Sequence, residues 1–105
     1  MRRGEVWLAA LDPTRGAEIQ KTRPCAIVSP DELNEALRTV LVCPMTTGGR
    51  AAAFRPAVRF RGASGLLLPD QVRAVDKSRL VRRLGRLDRP TLRSLLEVMA
   101  EMFAP

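Results

Sequence analysis

The chain has 105 residues, 46% of them hydrophobic and 28% charged, which suits one small folded domain over 1–105 and excludes a disordered chain. No apolar run approaches the roughly 20 residues of a membrane span, and the basic start leads into too short an apolar stretch for a secretory signal, so a cytoplasmic protein is expected. Eighteen Lys and Arg against eleven Asp and Glu give +7, which points to a polyanionic partner such as nucleic acid, although a charge for solubility is the plainer explanation.

Cysteine and histidine usage narrows the chemistry. There is no histidine, and Cys25 and Cys43 stand singly in apolar runs. Serine–histidine and cysteine–histidine pairs are therefore excluded. Two isolated thiols do not fill a tetrahedral zinc shell, so neither metal nor cofactor is expected. Buried, reduced thiols are expected instead. No phosphate-binding glycine motif occurs either.

In chain order, Glu5 to Leu11 alternates as a strand and meets a turn at Asp12-Pro13. Pro24 to Ser29 is a second strand, and Asp31 to Leu37 makes one or two helical turns. Thr39 to Met45 is β-branched and wholly apolar, as a core strand should be. A loop from Gly48 to Ala53 precedes a strand at Phe54 to Phe60, and Gly62 and Gly65 mark a turn. Further strands are read at Leu66 to Val75, with a kink at Pro69, and at Leu80 to Leu87. The period then changes: Asp88 is a helix N-cap, Pro90 fits a first turn, and Leu92, Leu95, Leu96, Met99 and Phe103 form one apolar face. Five to seven short strands with one C-terminal helix predict a mainly β (α+β) fold, a small barrel or strongly bent sheet.

Four polar places adjoin these strands. The loop Gly16 to Pro24 contains Glu18 and Lys21 and ends with Arg23 at a strand mouth, where a guanidinium grips a phosphate in a bidentate manner. A surface pair of Arg23 with Glu18 is the plainer reading. Thr46 and Thr47 follow the most apolar strand, and their hydroxyls suit an anionic oxygen or simply a turn. In Asp70 to Asp76, read as a strand, Gln71 and Arg73 share one face opposite Asp70, Val72 and Ala74. Arg79, Arg82, Arg83 and Arg86 form either a polyanion footprint or a solvated strand face.

In this order and spacing the chain resembles the MazF/PemK toxins almost from end to end. The resemblance runs through Arg3-Gly4-Glu5-Val6-Trp7, Leu11-Asp12-Pro13-Thr14, Gly16-Ala17-Glu18, Lys21-Thr22-Arg23-Pro24, Pro44-Met45-Thr46 and Leu68-Pro69-Asp70-Gln71-Val72-Arg73-Ala74-Val75-Asp76. It implies an SH3-like barrel, a homodimer, a cognate acidic antitoxin, and metal-independent cleavage of single-stranded RNA. It further implies that Arg23 and Thr46 act on the scissile phosphate. Glu18 is then the general base, and Asp70, Gln71, Arg73, Thr47 and Lys21 line the substrate groove, with Asp70 as a reserve base. Ala17 and Leu68 depart from some members, which carry Ser or His and Arg there. A binding toxin of the same fold that poisons gyrase, and a generic RNA-binding module, remain as alternatives.

Overall fold

The most apolar run of the sequence becomes the hub of the sheet. In the computed structural model, which describes residues 1–11, 16 and 21–105, β3 (Thr39–Thr47) pairs along one edge with β2 (Thr22–Ile27). Its other edge pairs twice, with β5 (Ala63–Leu67) and with β6 (Arg73–Asp76). Beyond β2 lie β1 (Glu5–Ala10) and β7 (Leu80–Arg86), and β4 (Ala57–Phe60) flanks β5. The seven strands form one antiparallel sheet of order β4-β5-β3-β2-β1-β7, with β6 on the second stretch of β3. It is a curled half-barrel with a helix against it, which agrees with the expected mainly β fold.

The sheet buries both faces, and this explains why β2 and β3 read as continuous apolar runs rather than alternating ones. Ala26, Val28, Cys43 and Met45 join Val6, Val58, Leu67 and Leu87 in one core. Cys25, Ile27, Val40 and Val42 join Ala9, Leu11, Val75 and Leu80 in the other. Successive residues thus alternate between cores. Cys25 and Cys43 are both buried and free, on opposite faces of neighbouring strands. This geometry keeps them from bonding in any compartment, so their reduced state does not report on redox surroundings.

The C-terminal helix α2 (Arg89–Met102) covers the first core. Asp88 caps it by accepting a hydrogen bond from the Thr91 N–H at 2.9 Å. Leu95 is fully buried, and Leu92, Leu96 and Met99 pack around it. Phe103 does not join the stripe: the helix stops at Met102 and leaves Phe103 72% exposed. The short α1 (Asp31–Ala36) is anchored through Asn34, whose side chain bonds Ser29, while Lys77 donates to its carbonyl.

Three strand expectations need correction. The single strand from Leu66 to Val75 is broken by a 3-10 turn, Pro69–Gln71, because the chain must step from one pairing stretch of β3 to the next. Phe54 lies outside β4, in a tight turn where Ala52 and Arg55 exchange backbone hydrogen bonds. Gly65 is no turn residue but sits inside β5 opposite Thr47. The Asp12-Pro13 turn and the segment containing Ala17 and Glu18 lie outside the described residues.

Candidate active site

Arg23 lies near the start of β2 and Thr46 near the end of β3. The pairing sets Ala26 opposite Cys43 and Cys25 opposite Pro44, and continuing that register brings Arg23 level with Thr46. Alternation sends both side chains to the face of Cys25, Ile27, Val40 and Val42. Arg23 is exposed and Thr46 half-buried, so the pair stands where the second core meets solvent.

A pocket of about 100 Å³ opens at this end of the sheet. Arg23, Thr46, Thr47 and Ser64 border it, while Met45, Val58 and Phe60 of the first core give it a mainly apolar wall, so it opens where the two faces meet at this end of the sheet. Gly65 makes the close approach of β5 to β3 possible. A Cβ there would sit 1.8 Å from the Thr46 carbonyl oxygen. A glycine inside a strand is the sequence signal for such an approach.

The remaining candidates are arranged around this pair rather than in its pocket. Arg73, on β6 opposite Val42, shares the face of Val75 and donates from Nη1 to the Leu11 carbonyl at 3.1 Å. Arg79 donates from Nη1 to the Ala10 carbonyl at 3.3 Å, so the last residue of β1 and the one after it anchor the two guanidiniums beside the second core. Lys21 is exposed with a positive φ of 65°. Gln71 closes the 3-10 turn, and its face-sharing with Arg73 is lost because β6 begins only at Arg73. Glu18 lies outside the described residues.

Asp70 is engaged elsewhere. Arg55 donates to both its oxygens, from Nε at 2.9 Å and from Nη2 at 2.6 Å. The guanidinium holds the Asp70 carboxyl below the usual carboxylate range, against burial that pushes it up. A carboxylate so held is ionised but a weak base.

Of the four β7-region arginines, Arg79 and Arg83 are tethered and Arg82 and Arg86 are exposed. Arg83 Nε lies 3.2 Å from Glu5, which also accepts from the Trp7 indole at 3.0 Å. The thiols of Cys25 and Cys43 are pushed up to about 12 by burial, which makes both poor nucleophiles. No helix among the described residues is long and apolar enough to cross a membrane.

Residues 2–103 match the family model described as PemK-like, MazF-like toxin of type II toxin–antitoxin system. The chain is 40% identical over 102 residues to an endoribonuclease PemK of Escherichia coli, covering 91% of this chain and 77% of that protein. It is 32% identical over 109 residues to the endoribonuclease MazF9 of Mycobacterium tuberculosis, covering 94% and 92%. Among solved structures, a MazF from Deinococcus radiodurans superposes with a TM-score of 0.85 at 23% identity, over 97% of this chain and 94% of that one. A mycobacterial endoribonuclease in complex with its cognate antitoxin superposes with a TM-score of 0.83 at 21% identity, over 100% and 97%. With the sequence match running nearly from end to end and the same curled sheet beneath it, the chain belongs to the PemK-like, MazF-like toxins of type II toxin–antitoxin systems.

Proposed function

We propose that the chain is the toxin of a toxin–antitoxin pair and an endoribonuclease that cuts single-stranded RNA at the Arg23–Thr46 site without a metal. The observation that carries this is the β2–β3 register, which sets a guanidinium level with a hydroxyl at the end of the sheet where a mainly apolar pocket opens.

The RNA supplies its own nucleophile. The 2′-oxygen attacks the adjacent phosphorus and the bond from phosphorus to the 5′-oxygen breaks, leaving a 2′,3′-cyclic phosphate and a 5′-OH end. Glu18 takes the 2′-OH proton and passes it to solvent, and the departing 5′-oxygen takes its proton from water. Negative charge grows on the non-bridging oxygens, where Arg23 and Thr46 donate hydrogen bonds. Lys21 and Thr47 hold the neighbouring backbone, with Gln71 and Arg73 farther along the groove. DNA lacks the 2′-OH and is not cut.

The relatives' names supply the activity class, and the mycobacterial neighbour was solved with an antitoxin. A net charge of +7 suits both an RNA backbone and an acidic antitoxin segment. The working form is a cytoplasmic homodimer, which light scattering tests. Removing one donor to a developing oxyanion costs about 100-fold or more. Arg23→Ala should therefore lose that much cleavage of a short RNA with an unchanged circular dichroism spectrum. Full activity in a folded variant would overturn the assignment.

A further inference from the structure

The β3–β4 loop, residues 48–56, has five small residues, Gly48, Gly49, Ala51, Ala52 and Ala53, which leave little side chain to pack in its first half. Phe54, its one large apolar residue, is 53% exposed. Backbone bonds pin its two ends to β5: the Gly48 N–H donates to Ser64 at 3.0 Å, and the Leu67 N–H donates to the Pro56 carbonyl at 3.0 Å. Between those ends a concavity of about 400 Å³ opens, walled by Gly48, Gly49 and Ala51 from the loop and by Arg59 and Ser64 from the strands. Its size falls within the roughly 300–1,000 Å³ of ordinary ligand clefts. Val58, Ser64 and Gly65 line both this concavity and the Arg23–Thr46 pocket, so the two adjoin.

A side-chain ion pair also joins the loop to the rest of the molecule. The guanidinium of Arg55 forks onto both oxygens of Asp70, in the 3-10 turn between β5 and β6. Parallel hydrogen bonds of this kind fix orientation as well as distance. Asp70 lines neither cavity, and both its oxygens are already occupied. The geometry suits a tether and does not suit proton transfer.

We infer that the Arg55–Asp70 pair is a positioning clamp that holds the β3–β4 loop in the shape of a nucleobase subsite beside the Arg23–Thr46 pocket, and so sets which RNA motif is cut. This rests on the endoribonuclease reading. The base of a nucleotide flanking the scissile phosphate enters the concavity, where the loop backbone reads its edge and Arg59 meets the adjoining backbone. Asp70 acts through Arg55 and never touches the substrate.

The test is a double-mutant cycle on the full chain: Arg55→Gln, Asp70→Asn, both together, and the exchanged pair Arg55→Asp with Asp70→Arg. Each is measured for kcat, KM and cleavage motif on a randomised RNA pool, and for affinity to a 2′-O-methyl oligonucleotide that cannot be cut. The clamp predicts that the two single variants resemble each other and that the double is no worse than either. KM should rise about three- to tenfold, as loss of one charge-assisted pair allows, with relaxed choice of the flanking base and kcat nearly kept. The exchanged pair should recover part of the selectivity, and the pH profile of kcat should keep its shape in every variant. A kcat loss of about 100-fold or more in Asp70→Asn alone, with an altered pH profile, would overturn the clamp in favour of an acid–base role. So would wild-type KM and motif in both single variants. If the wild-type chain cuts no RNA, the endoribonuclease reading fails by itself. The clamp is then judged on oligonucleotide affinity, where equal values for wild type and variants overturn it.

Discussion

Replacing Gly65 by alanine tests how finely the site depends on the contact between β5 and β3. The added Cβ would lie 1.8 Å from the Thr46 carbonyl oxygen, 2.9 Å from its carbonyl carbon and 3.2 Å from the Thr47 Cα. All three are backbone atoms, so no side chain can swing away. Restoring ordinary contact near 3.4 Å requires the strands to part by about 1.6 Å at Thr46. Overpacking of this kind costs about 1–3 kcal/mol, which a folded domain of this size survives. Catalysis is more sensitive, because a misplacement of about 1 Å at a reacting group costs on the order of 100-fold. Gly65→Ala should therefore lose about 100-fold in kcat while its circular dichroism stays native and its melting temperature falls by about 5–15 °C. A folded variant with wild-type kcat would refute the reasoning, since Thr46 could then move without consequence.

Other outcomes follow from the packing and the charges. Leu95→Ala empties the middle of the first core and should cost about 2–5 kcal/mol, read as a fall in Tm of roughly 10 °C or more. A shift of less than 2 °C would mean that α2 does not anchor that core. Phe103→Ala should change stability by less than about 0.5 kcal/mol, since the ring is 72% exposed. Several carboxyls sit below their usual range: Asp31 through the Arg3 N–H, Asp70 through Arg55, Asp76 through the Ser78 N–H and Asp88 through Thr91. Glu5 does so as well, where burial pushes up but hydrogen bonds from Trp7 and the Arg2 N–H outweigh it. The unfolded chain thus binds protons more readily than the folded one. The stability these groups add is complete above the unfolded carboxyl values of about 4 and drains away as pH falls through the folded ones. The urea midpoint should be lower at pH 3 than at pH 7, and an equal or higher midpoint at pH 3 would contradict this.

Legibility in the sequence followed the range of the interactions. Helix α2 was readable because Asp88, Pro90 and the leucines act within a turn or two of one another. Phe103 was misjudged because periodicity does not show where a helix stops. The β2 and β3 runs were readable as core strands, yet their lack of alternation hid the fact that each strand serves two cores. The break at Pro69 follows from β3 pairing twice along one edge, which only the assembled sheet reveals. Arg23 and Thr46 were both singled out by family resemblance, but their meeting depends on a strand register that neither local segment encodes. The Arg55–Asp70 clamp was missed for the same reason: its partners lie in a loop and a turn with no shared pattern. Gly65 carried a usable signal, since glycine in a strand marks close backbone approach, but the nearby Gly62 made a turn look sufficient.

The central claim is that Arg23 and Thr46 promote attack by the RNA's own 2′-oxygen. The most direct measurement first maps a cleavage site on a single-stranded RNA, then replaces the one ribose on its 5′ side by deoxyribose and assays wild type and Arg23→Ala on both substrates. The account predicts 5′-OH and 2′,3′-cyclic phosphate ends from the all-ribose substrate, no cut at the deoxyribose, and loss of the cut by about 100-fold or more in Arg23→Ala. Cleavage at the deoxyribose position, or 5′-phosphate ends, would contradict it.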